Sequence, residues 1–261
     1  MHAAAPTRRT LRQAHRARAT FTSVLGEVLL TAGVIVFLFV AWQMWVGDII
    51  INAQKNAEGA ATIQEWAHSP APEPPPLVED PDSGTTYYAP PVLPHPADGE
   101  RFAIMRIPRF GADYAKDIAG GTTRAGTLDH IGIGLYTQSR MPGEVGNFSL
   151  AGHRTTWGKP FNQLDKLKLN DAIVVETPGG WYTYRFRTLE YVKPTAIDVL
   201  DDVPQMPEQQ TGERYITMTA CSPLYSLAER IVAYGVFEGF QPRAEGPPAS
   251  LAPVTPASPS L

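Results

Sequence analysis

Cysteine is almost missing from this chain: Cys221 is the only one in 261 residues. A single thiol rules out an intrachain disulfide framework, and no CxxC or HxxxH spacing offers a structural metal site. Acidic residues are missing from the start of the chain, where Arg8, Arg9, Arg12, Arg16 and Arg18 stand alone. Subtracting those five charges from the net −4 leaves the remainder near −9. An acidic body without a nucleic-acid motif gives no electrostatic footprint for phosphate, so nucleic acid is not an expected partner. There is no internal repeat, and the length suits one well-cored domain with accessory segments.

A long apolar run is present. Val28 to Val46, "VLLTAGVIVFLFVAWQMWV", carries no charge, and nineteen residues at about 1.5 Å each nearly cross a hydrocarbon core of roughly 30 Å. Trp42 and Trp45 sit at its far end, where indoles favour the interface, and the upstream arginines favour a cytoplasmic N-terminus. The run is longer than a signal-peptide core, and no small-x-small cleavage site follows at once. It lacks the polar face of a buried core helix. The sequence therefore predicts a cytoplasmic basic segment (1–23), a single transmembrane anchor (24–47) and an extracytoplasmic remainder. Outside the cytoplasm cysteines normally pair, so Cys221 is an inert buried thiol, an intermolecular bridge or a reactive group.

Residues 48–100 read as a spacer. Asp48 to Ala67 can continue helically, although Gly59 weakens the pattern. Ser69 to Pro96 holds ten prolines in 28 residues, which favours extended polyproline-like chain and a stand-off role. Residues 242–261 have similar composition and read as a disordered tail. Between them, 101–241 reads as all-β, a closed barrel or sandwich. "RFAIMRI" alternates apolar and polar residues, and "DAIVVETPGGWYTYRF" reads as a hairpin turning at Pro178-Gly179-Gly180. "NFSLAGH", "RYITMTAC" and "RIVAYGVFEGF" are further strands, with short helical pieces expected in "FGADYAKDIAG" and "KPFNQLDKLK".

A thiol with a free pKa near 8.5 needs a base or positive charge nearby to act as a nucleophile. Only His130 and His153 fall in the β-rich unit. His153 follows "NFSLAG", so a strand running into glycine would deliver it at a barrel rim, whereas His130 in "TLDHIGIGLY" reads as a loop residue. Arg230 lies nine residues beyond Cys221. If Cys221 ends one strand and Arg230 begins its antiparallel neighbour, both side chains reach the same end of the sheet. There Arg230 could stabilise an oxyanion, or simply pair with Glu229 or Glu238.

"TMTAC" with an arginine nine residues on, preceded by "LAGHR", resembles the sortase family of membrane-anchored cysteine transpeptidases, and "GHRTT" with an anchor and proline-rich spacer is most like class E. The resemblance implies a closed eight-stranded β-barrel with short helices, preceded by the transmembrane helix. It places Cys221 as nucleophile, His153 as general acid and base, and Arg230 on the substrate and oxyanion. Thr219, Ala220, Tyr136 and Tyr225 fall on the substrate groove. The implied reaction cleaves the Thr–Gly bond of an LAxTG-type C-terminal sorting signal on a secreted protein. The acyl group passes to an amine of a cell-wall precursor of the lipid II type, with no cofactor and no metal. Asp201 and Asp202 read as solvated loop residues rather than a calcium site. The flanking segments Pro194 to Glu213 and Ser222 to Glu229 are the implied specificity loops, and "DPDSGTTYYAPP" could fold back near the groove.

Three positions depart from the family pattern: Met218 replaces a leucine, Ala220 a threonine beside the nucleophile, and Leu135 a histidine of class E. A cysteine L,D-transpeptidase motif, Ser-His-Gly-x-x-x-Cys, is absent. A simple cysteine peptidase would use the same residues with water as acceptor. A non-catalytic anchored domain that binds cell-wall or other peptide would need no thiol.

Overall fold

The β-branched and aromatic runs between Arg101 and Pro242 pair into strands whose alternate residues turn inward, and the sheet closes on itself. The computed structural model describes residues 20–42, 46–79, 84–206, 209 and 212–251. Among these, the closed barrel is built from β3 (Arg101–Arg106), β4 (Lys116–Gly120), β5 (Ile133–Leu135), β6 (Gly146–Gly152), β7 (Ala172–Thr177), β8 (Gly180–Val192), β9 (Arg214–Ser222) and β10 (Glu229–Pro242). The order around the barrel is β10-β8-β7-β3-β4-β5-β6-β9, with β9 returning to β10. β4–β5 and β6–β9 are parallel, and the other ladders are antiparallel. Closure removes the exposed edges of an open sheet. It resolves the barrel-or-sandwich ambiguity in favour of the eight-stranded barrel.

Phe148, Leu150, Ile216, Met218, Tyr184, Ile231 and Ala233 fill the interior and are essentially inaccessible to water. The proline-glycine hairpin falls where expected, with Thr177 paired to Gly180. "FGADYAKDIAG", expected to hold helix, gives only a 3-10 turn at Pro108–Phe110 before β4 begins at Lys116. Gly111 breaks the turn at φ 137°, and the following residues are taken up by ladders to β3 and β5. "KPFNQLDKLK" likewise supplies one 3-10 turn, Leu164–Lys166.

Helix α1 (Phe21–Ala41) forms a compact unit apart from the one that starts at Asp48. Thr20 caps it, accepting from the Ser23 amide at 3.4 Å. It is long and apolar enough to cross a membrane. Trp45 lies outside the described residues.

Helix α2 (Gly47–His68) does continue as predicted, but the segment that follows does not stand off from the barrel. Asn56 and Gly59 are buried on the barrel side of α2. A Cβ at Gly59 would lie 2.5 Å from the Ala115 carbonyl oxygen, so glycine there permits close approach rather than merely weakening the helix. Lys116 Nζ donates to the Asn52 carbonyl at 3.0 Å and side-chain oxygen at 2.8 Å. The proline-rich stretch then forms a short hairpin, β1 (Leu77–Glu79) with β2 (Thr86–Tyr88). Tyr88 at the end of β2 and Leu93 beyond it pack against the core cluster, and Tyr182 Oη donates to the Pro91 carbonyl at 2.6 Å. The prolines keep this chain extended, while the interspersed Tyr and Leu give it apolar surface to bury.

The tail is also partly ordered. Arg243 donates to Glu176 at 3.0 Å and to the Thr177 carbonyl at 2.6 Å, and Leu251 packs on Ala172, Val174 and Trp181. The rest of the expected tail, 252–261, lies outside the described residues.

Candidate active site

Cys221 and Arg230 occupy directly opposed positions on neighbouring antiparallel strands, because β9 ends at Ser222 and β10 begins at Glu229. His153 comes from the other neighbour of β9. Strand β6 runs parallel to β9 with Ala151 opposite Thr219, so two further residues bring His153 level with Cys221. The strand must run through glycine to reach it: a Cβ at Gly152 would meet the Phe161 ring at 2.6 Å. The loop after His153 folds back on itself. The Phe161 amide donates to the His153 carbonyl at 3.1 Å, and Asn162 Nδ2 donates to the Arg154 carbonyl at 2.8 Å. The imidazole is thus presented by a backbone held at both sides.

All three side chains line one groove of about 620 Å³, together with Tyr136, Thr219, Ala220 and Tyr225. The structure therefore brings every residue singled out for catalysis or substrate contact to one place. Cys221 is unpaired and half-buried. The Arg230 guanidinium donates to the carbonyls of Leu227 at 3.2 Å and Glu229 at 2.9 Å. Neither carboxylate considered from sequence is its partner, for Glu238 pairs with Arg185 at 2.7 Å. Among the described residues Arg230 has no acidic neighbour in ion-pair range, so its charge faces the groove uncompensated. Tyr136 and Thr219 hydroxyls lie 2.9 Å apart, and Thr219 also donates to the Leu150 carbonyl at 3.2 Å. Ala220 is 3% exposed and belongs to the core cluster with Met218 and Ile231. Its methyl replaces what would be a hydroxyl among apolar neighbours.

The connection 223–228 supplies Tyr225, Ser226 and Leu227 to the groove lining, and Leu224, Tyr225 and Leu227 are exposed. Tyr225 has φ 64°, a left-handed conformation costly for a residue with a bulky side chain. His130 lies apart from the groove lining. Its carbonyl accepts from Lys55 and its ring sits 6.3 Å from that of Trp157. Among the described residues the β1–β2 hairpin contributes nothing to the groove lining, and Tyr88 Oη donates instead to Glu245 at 2.6 Å; residues 80–83 of "DPDSGTTYYAPP" lie outside the described residues. Asp202 is no free loop carboxylate, since Arg140 holds it at 2.8 and 2.5 Å.

Two residues in contact with the site escaped the sequence reading. Arg154, 6% exposed, donates to Ser222 Oγ at 3.1 Å, beside the nucleophile. Asp129 Oδ1 lies 2.7 Å from His153 Nε2. The two are 24 residues apart on different connections, so no spacing rule joins them.

A sortase-domain family model matches residues 105–238. The chain is 32% identical over 233 residues to sortase SrtE1 of Streptomyces coelicolor, covering 87% of this chain and 60% of that protein. It thus spans less than two thirds of that relative's length. Sortase SrtE2 of the same organism is 29% identical over 230 residues, covering 86% and 85% respectively. Among solved structures, the SrtA sortase from Actinomyces oris superposes with TM-score 0.59 at 34% identity, over 62% of this chain and 93% of that one. Sortase E1 from Streptomyces coelicolor, solved with a tripeptide in its active site, gives TM-score 0.55 at 34% identity, over 60% and 99%. The family match runs through the strands that carry Cys221, His153 and Arg230, and by it the chain belongs to the sortase family.

Proposed function

We propose that this protein is a membrane-anchored cysteine transpeptidase, with α1 as its anchor and the barrel outside the cytoplasm. The observation that carries the reading is the convergence of Cys221, His153 and Arg230 in one groove from three adjacent strands. The Cys221 thiolate adds to the carbonyl carbon of the Thr–Gly bond in an LAxTG-type sorting signal. The resulting oxyanion sits by the Arg230 guanidinium. His153 gives a proton to the departing glycine amine, the C–N bond breaks, and a thioester to Cys221 remains. An incoming amine of a lipid II type precursor loses a proton to His153 and attacks the thioester. The new amide forms as the thiolate leaves. Breaking and making one acyl bond through a covalent intermediate requires no nucleotide. The tripeptide in the related active site favours a peptide in this groove.

The test uses the full chain in detergent micelles with an LAxTG peptide and a small amine. Wild type is expected to yield the amine-ligated peptide and a mass-detectable thioester, and Cys221→Ala to yield neither. If wild type forms no thioester and cleaves nothing, the enzyme reading falls and a peptide-binding domain takes its place. If only the hydrolysed peptide appears at saturating amine, the activity is that of a cysteine peptidase.

A further inference from the structure

Behind the groove-lining His153 stands a carboxylate that the acyl-transfer scheme leaves without a role. Asp129 Oδ1 lies 2.7 Å from His153 Nε2, with side chains 14% and 16% exposed. Both partners are held by their own backbones. Residues Arg124–Leu128 form a single π-type turn that the Asp129 amide closes by donating to the Arg124 carbonyl at 2.9 Å. Thr127, fully buried, ties that turn to β4 through the Gly120 carbonyl at 2.8 Å. On the other side, the Phe161 amide fixes the His153 carbonyl. The contact thus joins two rigid connections, β4–β5 and the one after β6.

The other cation near Asp129 is Arg124, 73% exposed, whose nitrogens stay 3.5 Å from the carboxylate. An exposed pair at that distance is weak, so the imidazole is the principal partner. An ionised carboxylate only accepts hydrogen bonds, so the shared proton resides on Nε2. Neutral His153 then carries its lone pair on Nδ1, which makes no hydrogen bond among the described residues.

We propose that Asp129 is a positioning residue: it fixes the Nε2–H tautomer of His153, so that Nδ1 is the nitrogen that exchanges protons with the thiol and the reacting amines. This rests on the transpeptidase reading for its consequence, though not for its geometry. Asp129 touches no substrate. It orients the ring and stabilises the imidazolium formed when Nδ1 takes a proton, as a carboxylate behind a catalytic imidazole does in acyl transfer generally.

The experiment has two arms on the full chain in detergent micelles. In the first, 15N-labelled histidine is followed at a pH where the ring is neutral, with the His153 signal assigned by its loss in His153→Gln. Wild type is expected to show a protonated Nε2 and a bare Nδ1, and Asp129→Ala to show mixed tautomers with an unchanged melting temperature. In the second arm, Asp129→Ala is expected to lower kcat about 100-fold with KM within twofold, and Asp129→Glu to recover part of the loss. A wild-type ring protonated on Nδ1, or an unchanged tautomer in Asp129→Ala, overturns the proposal. So does a kcat insensitive to Asp129. A wild type without transpeptidation sinks the functional reading, while the tautomer arm still decides what Asp129 does.

Discussion

Cys221 and Arg230 stand opposite one another across the β9–β10 ladder, a register that the eight residues between them make possible. Seven would shift the pairing, and since side chains alternate with period two, a one-residue slip would turn the guanidinium to the other face. The loop between them holds exposed Leu224 and Leu227. Its length therefore sets the active-site register while its side chains remain free to meet substrate.

Arg230 is predicted to matter for chemistry and hardly at all for folding. Among the described residues its side chain hydrogen-bonds only to carbonyls of its own loop, so Arg230→Ala should leave the melting temperature within a degree or two. Loss of an oxyanion donor lowers kcat by about 100- to 1,000-fold. Arg230→Lys keeps the charge but not the planar fork, and should recover only part of that loss. Steady-state kinetics beside thermal melts check this; equal damage to kcat and stability would reassign Arg230 to structure.

Gly152→Ala is predicted to disable the site without touching a reacting group. The new Cβ would lie 2.6 Å from the Phe161 ring, which is fully buried and has no room to retreat. Overpacking of this kind costs about 1–3 kcal/mol, and relief by shifting β6 would move His153. Pairing the change with Phe161→Leu should restore much of the stability. Urea unfolding and thioester yield for the single and double variants are the measurements.

The sequence shows the barrel's strands and the three groove residues because each lies where a strand meets a turn, next to glycine, proline or the lone cysteine. It does not show Asp129 or Arg154, whose partners depend on which connections the closed barrel brings together. The proline-rich stretch misleads for a related reason. Its composition excludes a core of its own, yet Tyr88 and Leu93 need only borrow the barrel's. Ala220 departs from the family pattern beside the nucleophile, and it packs into the core cluster with Met218 while still bordering the groove that Thr219 and Cys221 line.

Asp202 is predicted to clamp the connection between β8 and β9, one of the implied specificity loops. Hydrogen bonding by Arg140 holds its carboxyl below the usual aspartate range. A lowered folded-state pKa means the stabilisation is present above about pH 4, the ordinary aspartate value, and is lost as pH falls through the lower one. Asp202→Asn mimics the protonated form at neutral pH. Amide hydrogen exchange across Val199 to Gln205 should quicken in that variant while the strands stay protected. Unchanged exchange in the loop would show the clamp to be dispensable.

Lys116 should make the docking of α2 sensitive to alkaline pH. Burial pushes its pKa down to about 8, against the attraction of Asp113, and its ammonium is held by Asn52 on α2. The unfolded chain keeps a lysine pKa near 10.4, so between roughly pH 8 and 10 the unfolded state binds more protons and this group's contribution to stability rises with pH. Below pH 8 the cost of burying the charge is carried in full. Above pH 10 the trend reverses, because burial raises the pKa of Tyr114, Tyr182 and Tyr184 and the unfolded chain alone ionises. Urea unfolding of wild type and Lys116→Met at pH 7.5, 9 and 10 isolates the lysine. The variant's advantage, or lesser penalty, at pH 7.5 should shrink by on the order of 1–3 kcal/mol on reaching pH 10. Parallel pH curves for the two proteins would mean that Lys116 stays charged in its pocket and that Asn52 compensates its burial.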